Sequence, residues 1–471
     1  MASPLESIPL ETLDHILSFL PIGEVARLAR TSKHLSIIVT PLLWSDIHFG
    51  YTGWSQHDPT VFRPPHKYAF HDDPPEADRD ALLEVLLTLH KSDPDRMQAL
   101  TARVKHLGGY MEHVWSPFQN RETGEISVDT IPSWHLIPYF SNLETLDLCA
   151  GYFSGTGKEI FLPPIDATAP ALPRLRAVRL FGYIPRTAAQ FILKSGPTLE
   201  HLELGLLDRP ICEGNFPPLP EENLNLSSDE SGSDYGSLFG YEMIPRPLGN
   251  FLPPSAGGNG EPAISLPKLK HLRLVQPSRN REWSNEYNWS TRAEEACLLA
   301  WRGILRAAGA SLEVLVLDQR PAAVENVADS ESEHEYVGGR SDPQGHRQLI
   351  GMVQSVMMEG QGLEKLKQVY LAGIDVGITI KGRETGTTLA REFMYFLRTR
   401  GVKCEARVGK WCMFERFVGV VYDSTFSWEG SEVDGDQGDY DDEVDNADDR
   451  DEGRWKKPKG ARYKDVILYH V

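Results

Sequence analysis

A six-residue phrase, leucine, two residues, leucine or valine, one residue, leucine, occurs six times along the chain and constrains its fold more than any other feature. It begins as Leu143-Glu-Thr-Leu146-Asp-Leu148 and returns as Leu175-Arg-Ala-Val178-Arg-Leu180 and Leu199-Glu-His-Leu202-Glu-Leu204. The later copies are Leu269-Lys-His-Leu272-Arg-Leu274, Leu312-Glu-Val-Leu315-Val-Leu317 and Leu366-Lys-Gln-Val369-Tyr-Leu371. Val104 to Leu107 reads as a degenerate first copy. The last two apolar positions of each copy alternate with one residue between them, which is the period of a strand with one face buried. Between copies lie stretches with apolar residues at helical spacing: Ala188–Lys194, Arg292–Ala307, Gln344–Met358 and Ala390–Arg400. Strand alternating with helix implies an α/β fold with parallel strands and return helices.

This phrase resembles the leucine-rich repeat, whose strands line a horseshoe and whose return segments are helical. The chain departs from that family in two ways. Successive first leucines lie 32, 24, 70, 43 and 54 residues apart, so there is no fixed period. Most copies also lack the closing Asn or Cys. The resemblance therefore implies an irregular solenoid with large insertions. Its target-touching concave positions would be Asp147, Arg179, Glu203, Arg273, Val316 and Tyr370. Their charges alternate in sign and announce no ligand, and a solvated strand face is an equally good reading of each.

The first fifty residues carry a different pattern. Leu13, Ile16, Leu17 and Leu20 fall at the spacing that puts them on one helical face. Pro9 suits a first helical position, Glu11 the positive end of the helix, and Pro21 its stop. A second short piece holds Val25, Leu28 and Ala29. A third starts at Ser32, a good N-cap, and runs through Leu35, Ile38, Leu42 and Leu43 to Trp44. Three such helices bury little and lean on a neighbour or partner.

Residues 8–44 resemble the F-box, from the apolar-Pro-x-Glu start through Ile16-Leu17 and Leu20-Pro21 to the closing Leu43-Trp44. Ile8 stands where that family more often has Leu. The resemblance implies a docking module for a Skp-type adaptor, and through it a cullin-based ubiquitin ligase, with the rest of the chain selecting the target protein. It assigns Pro9, Leu13, Ile16, Leu17, Leu20, Val25 and Leu28 to the adaptor contact or to the core beneath it. Helical periodicity does not say which.

The expected organisation is an F-box at 1–50, a linker at 51–79, and a leucine-rich-repeat-like domain at 80–428. A disordered acidic tail at 429–453 and a basic and apolar segment at 454–471 follow. Insertions at 206–264 and 320–343 are rich in Pro, Gly, Ser and acids and are expected as mobile loops. Ser227, Ser228 and Ser231 lie beside acids and suit an acid-directed kinase.

Charge narrows the partners. Of the net −19, residues 429–452 carry −12, from thirteen acids and one Arg, leaving −7 for the rest. A mildly acidic body argues against nucleic acid as a partner. No apolar run approaches a membrane span, and acids stand where a signal peptide needs positive charge. Five scattered cysteines suggest a reduced protein of the cytoplasm or nucleus.

No catalytic constellation, metal site or cofactor site is expected. Gly155-Thr-Gly-Lys158 lacks the first Gly and the closing Ser or Thr of a phosphate loop. His71-Asp72-Asp73 and His334-Glu335 read as solvated turns, and Asp434, Asp436 and Asp439 miss the spacing of a calcium loop. A non-catalytic substrate receptor is the leading reading. The alternative is a repeat scaffold that binds basic proteins through its acidic tail.

Overall fold

The computed structural model describes residues 8–17, 19–20, 22–49, 76–110, 114–115, 131–150, 165, 169–211, 244–253, 264–278, 291–323, 343–359, 362–374, 389–407 and 412–413. The phosphate-loop-like stretch 155–158, the His71 and His334 turns, Ser227 to Ser231, the acidic tract and the final segment lie outside them.

The centre is a sheet of nine parallel strands whose spatial order follows the chain. They are β1 (Asp46–Phe49), β2 (His106–Tyr110), β3 (Thr145–Ala150), β4 (Ala177–Gly182), β5 (His201–Ile211), β6 (His271–Ser278), β7 (Val314–Ala323), β8 (Gln368–Ala372) and β9 (Lys403–Arg407). An order without reversals is that of a solenoid-like repeat, each unit resting only on its neighbours.

The repeated phrase explains the register. Its second apolar positions form one unbroken row: Leu107, Leu146, Val178, Leu202, Leu272, Leu315 and Val369 are successive partners. The row continues outward to Ile47 in β1 and Cys404 in β9, which no copy of the phrase announced. Every first leucine is buried, and Val104 fills the same place before β2. Each buried leucine contributes about 1.5–3 kcal/mol, so this face supplies the main driving force.

Charge reinforces the register from the rim. The residue just before each strand alternates in sign across Lys105, Glu144, Arg176, Glu200, Lys270, Glu313 and Lys367, and their backbones are hydrogen-bonded in that order. Lys270 Nζ lies 3.3 Å from Glu200 Oε2, and Lys367 Nζ lies 2.6 Å from Glu313 Oε2. Such exposed pairs add little stability, but a slipped strand would forfeit all of them at once. At the end of β4 the chain turns through Gly182 at φ +78°. A Cβ there would meet the Ala150 carbonyl oxygen at 2.0 Å.

Helices cover one face. After α1 (Leu10–Leu17), α2 (Ile22–Ala29) and α3 (Lys33–Leu43) come α4 (Glu76–Ser92) and α5 (Pro94–Thr101), between β1 and β2. The return helices are α6 (Arg186–Leu193), α7 (Thr291–Ala308), α8 (Pro343–Met358) and α9 (Leu389–Thr399), each within about two residues of its expected bounds. Trp301, Ile304, Phe393 and Leu397 from this layer share one core with the strand leucines.

Two expectations are corrected. Residues 206–211 extend β5, and Ile244–Pro247 pairs antiparallel with it. Leu248, Phe251 and Leu252 then enter the main core, so the expected loop 206–264 packs at both ends. Gly249 and Asn250 carbonyls accept hydrogen bonds from Arg186 and Gln190 of α6, and Leu252 approaches α7 at Gly303. The segment occupies the helix layer between α6 and α7, where three large apolar side chains suffice to pack it. Likewise residues 320–323 continue β7 rather than opening a loop.

Candidate functional site

Two surfaces concern function. The first is formed by α1–α3. Pro9 opens α1, its carbonyl accepting from the Leu13 N–H at 2.9 Å. Ser32 caps α3, its hydroxyl accepting from Leu35 N at 3.1 Å. Leu13, Leu17, Val25, Leu35 and Val39 form a small separate core, with Leu28 packed partly against it.

The F-box resemblance assigns seven residues to the adaptor contact or to the core beneath it, and burial divides them. Leu13, Leu17 and Val25 lie inside, Leu28 is half-buried, and Pro9, Ile16 and Leu20 face solvent. The exposed apolar set also includes Leu42 and three residues that the sequence reading did not single out, Leu10, Phe19 and Ile37. Of ten large exposed apolar side chains among the described residues, six fall between Leu10 and Leu42. Phe19 is 73% exposed and Ile37 67%. The module thus keeps its own core and still presents six large apolar side chains to solvent.

The second surface is the sheet face opposite the helices. Asp147, Arg179, Glu203, Arg273, Val316 and Tyr370 stand in one row as successive register partners. The solvated face weighed for them is corrected: all but Tyr370 are buried, Glu203 completely. The charged members are paired across strands. Arg179 Nη1 lies 3.2 Å from Asp147 Oδ2 and its Nε 3.6 Å from Glu203 Oε2. Arg273 Nη2 donates to Asp318 Oδ2 at 2.6 Å. The alternation in sign is the internal pairing code of this row. Beyond it, Cys149, Phe181, Tyr183, Leu207 and Val275 form a second small apolar cluster.

One step toward the start of the strands, His201 and His271 are register partners with rings stacked at 4.1 Å and 12°. His201 Nε2 lies 2.6 Å from Glu203 Oε1. Burial pushes the His201 imidazole below its ordinary range despite that contact. Burial alone would push the Glu203 carboxyl up, but Arg179, His201 and Arg273 together bring it down to about 2.

Both shifts make the fold acid-sensitive. His201 binds a proton less readily when folded, so its contribution is fully present above its unfolded value of 6.5 and declines below it. Glu203 contributes fully above 4.5 and loses its share as pH falls through about 2. Urea midpoints are expected to fall steadily from pH 7.5 to 5, and His201→Asn is expected to flatten that limb. A wild-type midpoint that rises or holds below pH 6.5 would refute this.

No curated protein matches the chain. Among known families, the one described as F-box-like matches residues 5–50, a span that takes in α1–α3 and runs into β1. This protein thus carries an F-box-like domain at residues 5–50.

Proposed function

We propose that this chain is the substrate-recognition subunit of a Skp–cullin–F-box ubiquitin ligase and has no catalysis of its own. The F-box-like residues dock a Skp-type adaptor, and the adaptor links them to a cullin. The observation that carries this reading is the exposed apolar set Leu10, Ile16, Phe19, Leu20, Ile37 and Leu42 on the matched segment. Burying it against partner helices supplies affinity through fit and desolvation. Leu13, Leu17 and Val25 act as the supporting core.

In this reading the F-box at 1–50 and the linker at 51–79 lead into a target-binding domain at 80–428, a solenoid of leucine-rich-repeat kind. Its continuous leucine row and its return helices support that assignment. The buried charges of the helix-free face hold the strands in register, and half-buried Tyr370 and the rims of the face meet the target protein. The acidic tail at 429–453 and the basic segment at 454–471 lie beyond this domain, where the tail attracts basic partners. No helix among the described residues is long and apolar enough to cross a membrane. The complex works in the cytoplasm or nucleus.

The test is co-expression with a Skp-type adaptor followed by gel filtration. Wild type is expected to elute as a stoichiometric complex. Ile16→Asp with Phe19→Asp, both at the surface, is expected to abolish it while leaving circular dichroism unchanged. Absence of complex with wild type, or a complex indifferent to the double variant, would sink the proposal.

A further inference from the structure

We propose that His201, Glu203 and His271 form a binding site for one divalent first-row transition-metal ion, zinc above all, tying β5 to β6. Two imidazoles and a carboxylate are the donor set that such ions take, commonly with one position left for water. The three donor atoms lie within 4.8 Å of one another. His201 and His271 hold partnered positions on adjacent strands, and Glu203 follows His201 by two residues, so all three project from the same sheet face.

The surroundings suit the purpose. Arg179 approaches Glu203 Oε2 at 3.6 Å, which orients the carboxylate with Oε1 toward the imidazoles. Outer partners of this kind fix the angle of a ligating group. The flanking guanidiniums are themselves held by Asp147 and Asp318, so the row sets three carboxylates against two arginines. His271 is only half-buried, which gives an ion an entry side. The rings now lie nearly parallel, so binding requires one to turn about its broad χ2 torsion until the two nitrogens converge. The metal then displaces the proton between His201 Nε2 and Glu203 Oε1, and the neutral imidazole carries its single proton on Nδ1 instead.

Position gives the site a role. His201 and His271 are seventy residues apart in sequence and bracket the largest gap between repeats. A clip across that loop opposes its closure entropy where the solenoid is least regular.

The tag-free full chain is titrated with Co2+, followed by visible absorption, and with Zn2+ by calorimetry. One ion per chain is expected. His271→Phe keeps a stacked aromatic ring and is expected to weaken binding by more than about a hundredfold, the upper end of what loss of an outer partner alone costs. Zinc-edge absorption of the wild-type protein is expected to show two imidazoles among oxygen and nitrogen donors only, and it decides the matter if the variant does not fold. Lack of saturable binding, binding that survives in folded His271→Phe, or a shell with sulfur or more than two imidazoles would overturn the assignment.

Discussion

Replacing Arg273 by leucine is expected to destabilise the protein by about 3–5 kcal/mol, enough to unfold much of it near physiological temperature. Arg273 is 1% exposed, and its guanidinium sits between Glu203 on β5 and Asp318 on β7. The favourable part of the pair is modest, because both ions were stripped of water to form it. The large loss comes from what remains: Asp318, a buried carboxylate that keeps its desolvation cost and loses the guanidinium beside it, while Glu203 is left to Arg179 and His201. The same reasoning predicts that Arg273→Leu combined with Asp318→Leu recovers a substantial part of the loss. Lys367→Ala, at an exposed pair of equally short distance, is expected to be indistinguishable from wild type. Urea denaturation of the four proteins measures all three statements. An Arg273→Leu midpoint equal to wild type would show that the row is solvated after all.

That row marks where the sequence ceased to be legible. Leu146, Val178 and Leu202 declared themselves because a strand with one buried apolar face has a period no other structure shares. Their return helices followed from a second period. Asp147, Arg179, Glu203 and Arg273 lie in the same strands, yet alternating charges look the same whether they face water or each other. Only the register, which sets Arg beside Asp and Glu, distinguishes the two. His201 and His271 were hidden for a related reason: seventy residues separate them, and only strand pairing makes them neighbours. At the F-box-like domain, periodicity found the apolar residues, but Leu13 and Ile16 differ only in which side of α1 meets the small core. Helix α5 was missed although its signal was present, since Asp93 caps it through Arg96 N and Pro94 starts it. Its single buried hydrophobe, Met97, was too little to show a period.

Phe251→Ala is expected to cost about 3–5 kcal/mol, as for a phenylalanine in the centre of a core, although it lies within a stretch whose composition reads as loop. Phe251 is fully buried and shares the main core with Leu248 and Leu252. Hydrogen bonds from Arg186 and Gln190 to the Gly249 and Asn250 carbonyls pin the backbone immediately before it. The cavity left by alanine therefore cannot close easily, because collapse would break those bonds or pull α6 away from the sheet. A phenylalanine on a loosely attached loop would behave otherwise: truncation would change the stability by less than about 0.5 kcal/mol. The comparison also separates local from global consequence. Each repeat rests on its neighbours, so a weakened segment between α6 and α7 is expected to raise hydrogen exchange first in β5 and β6, with β8 and β9 following only at global unfolding. Uniform exchange across the sheet would mean that the solenoid unfolds as one block, and an unchanged midpoint would return residues 248–252 to the loop that their composition suggests.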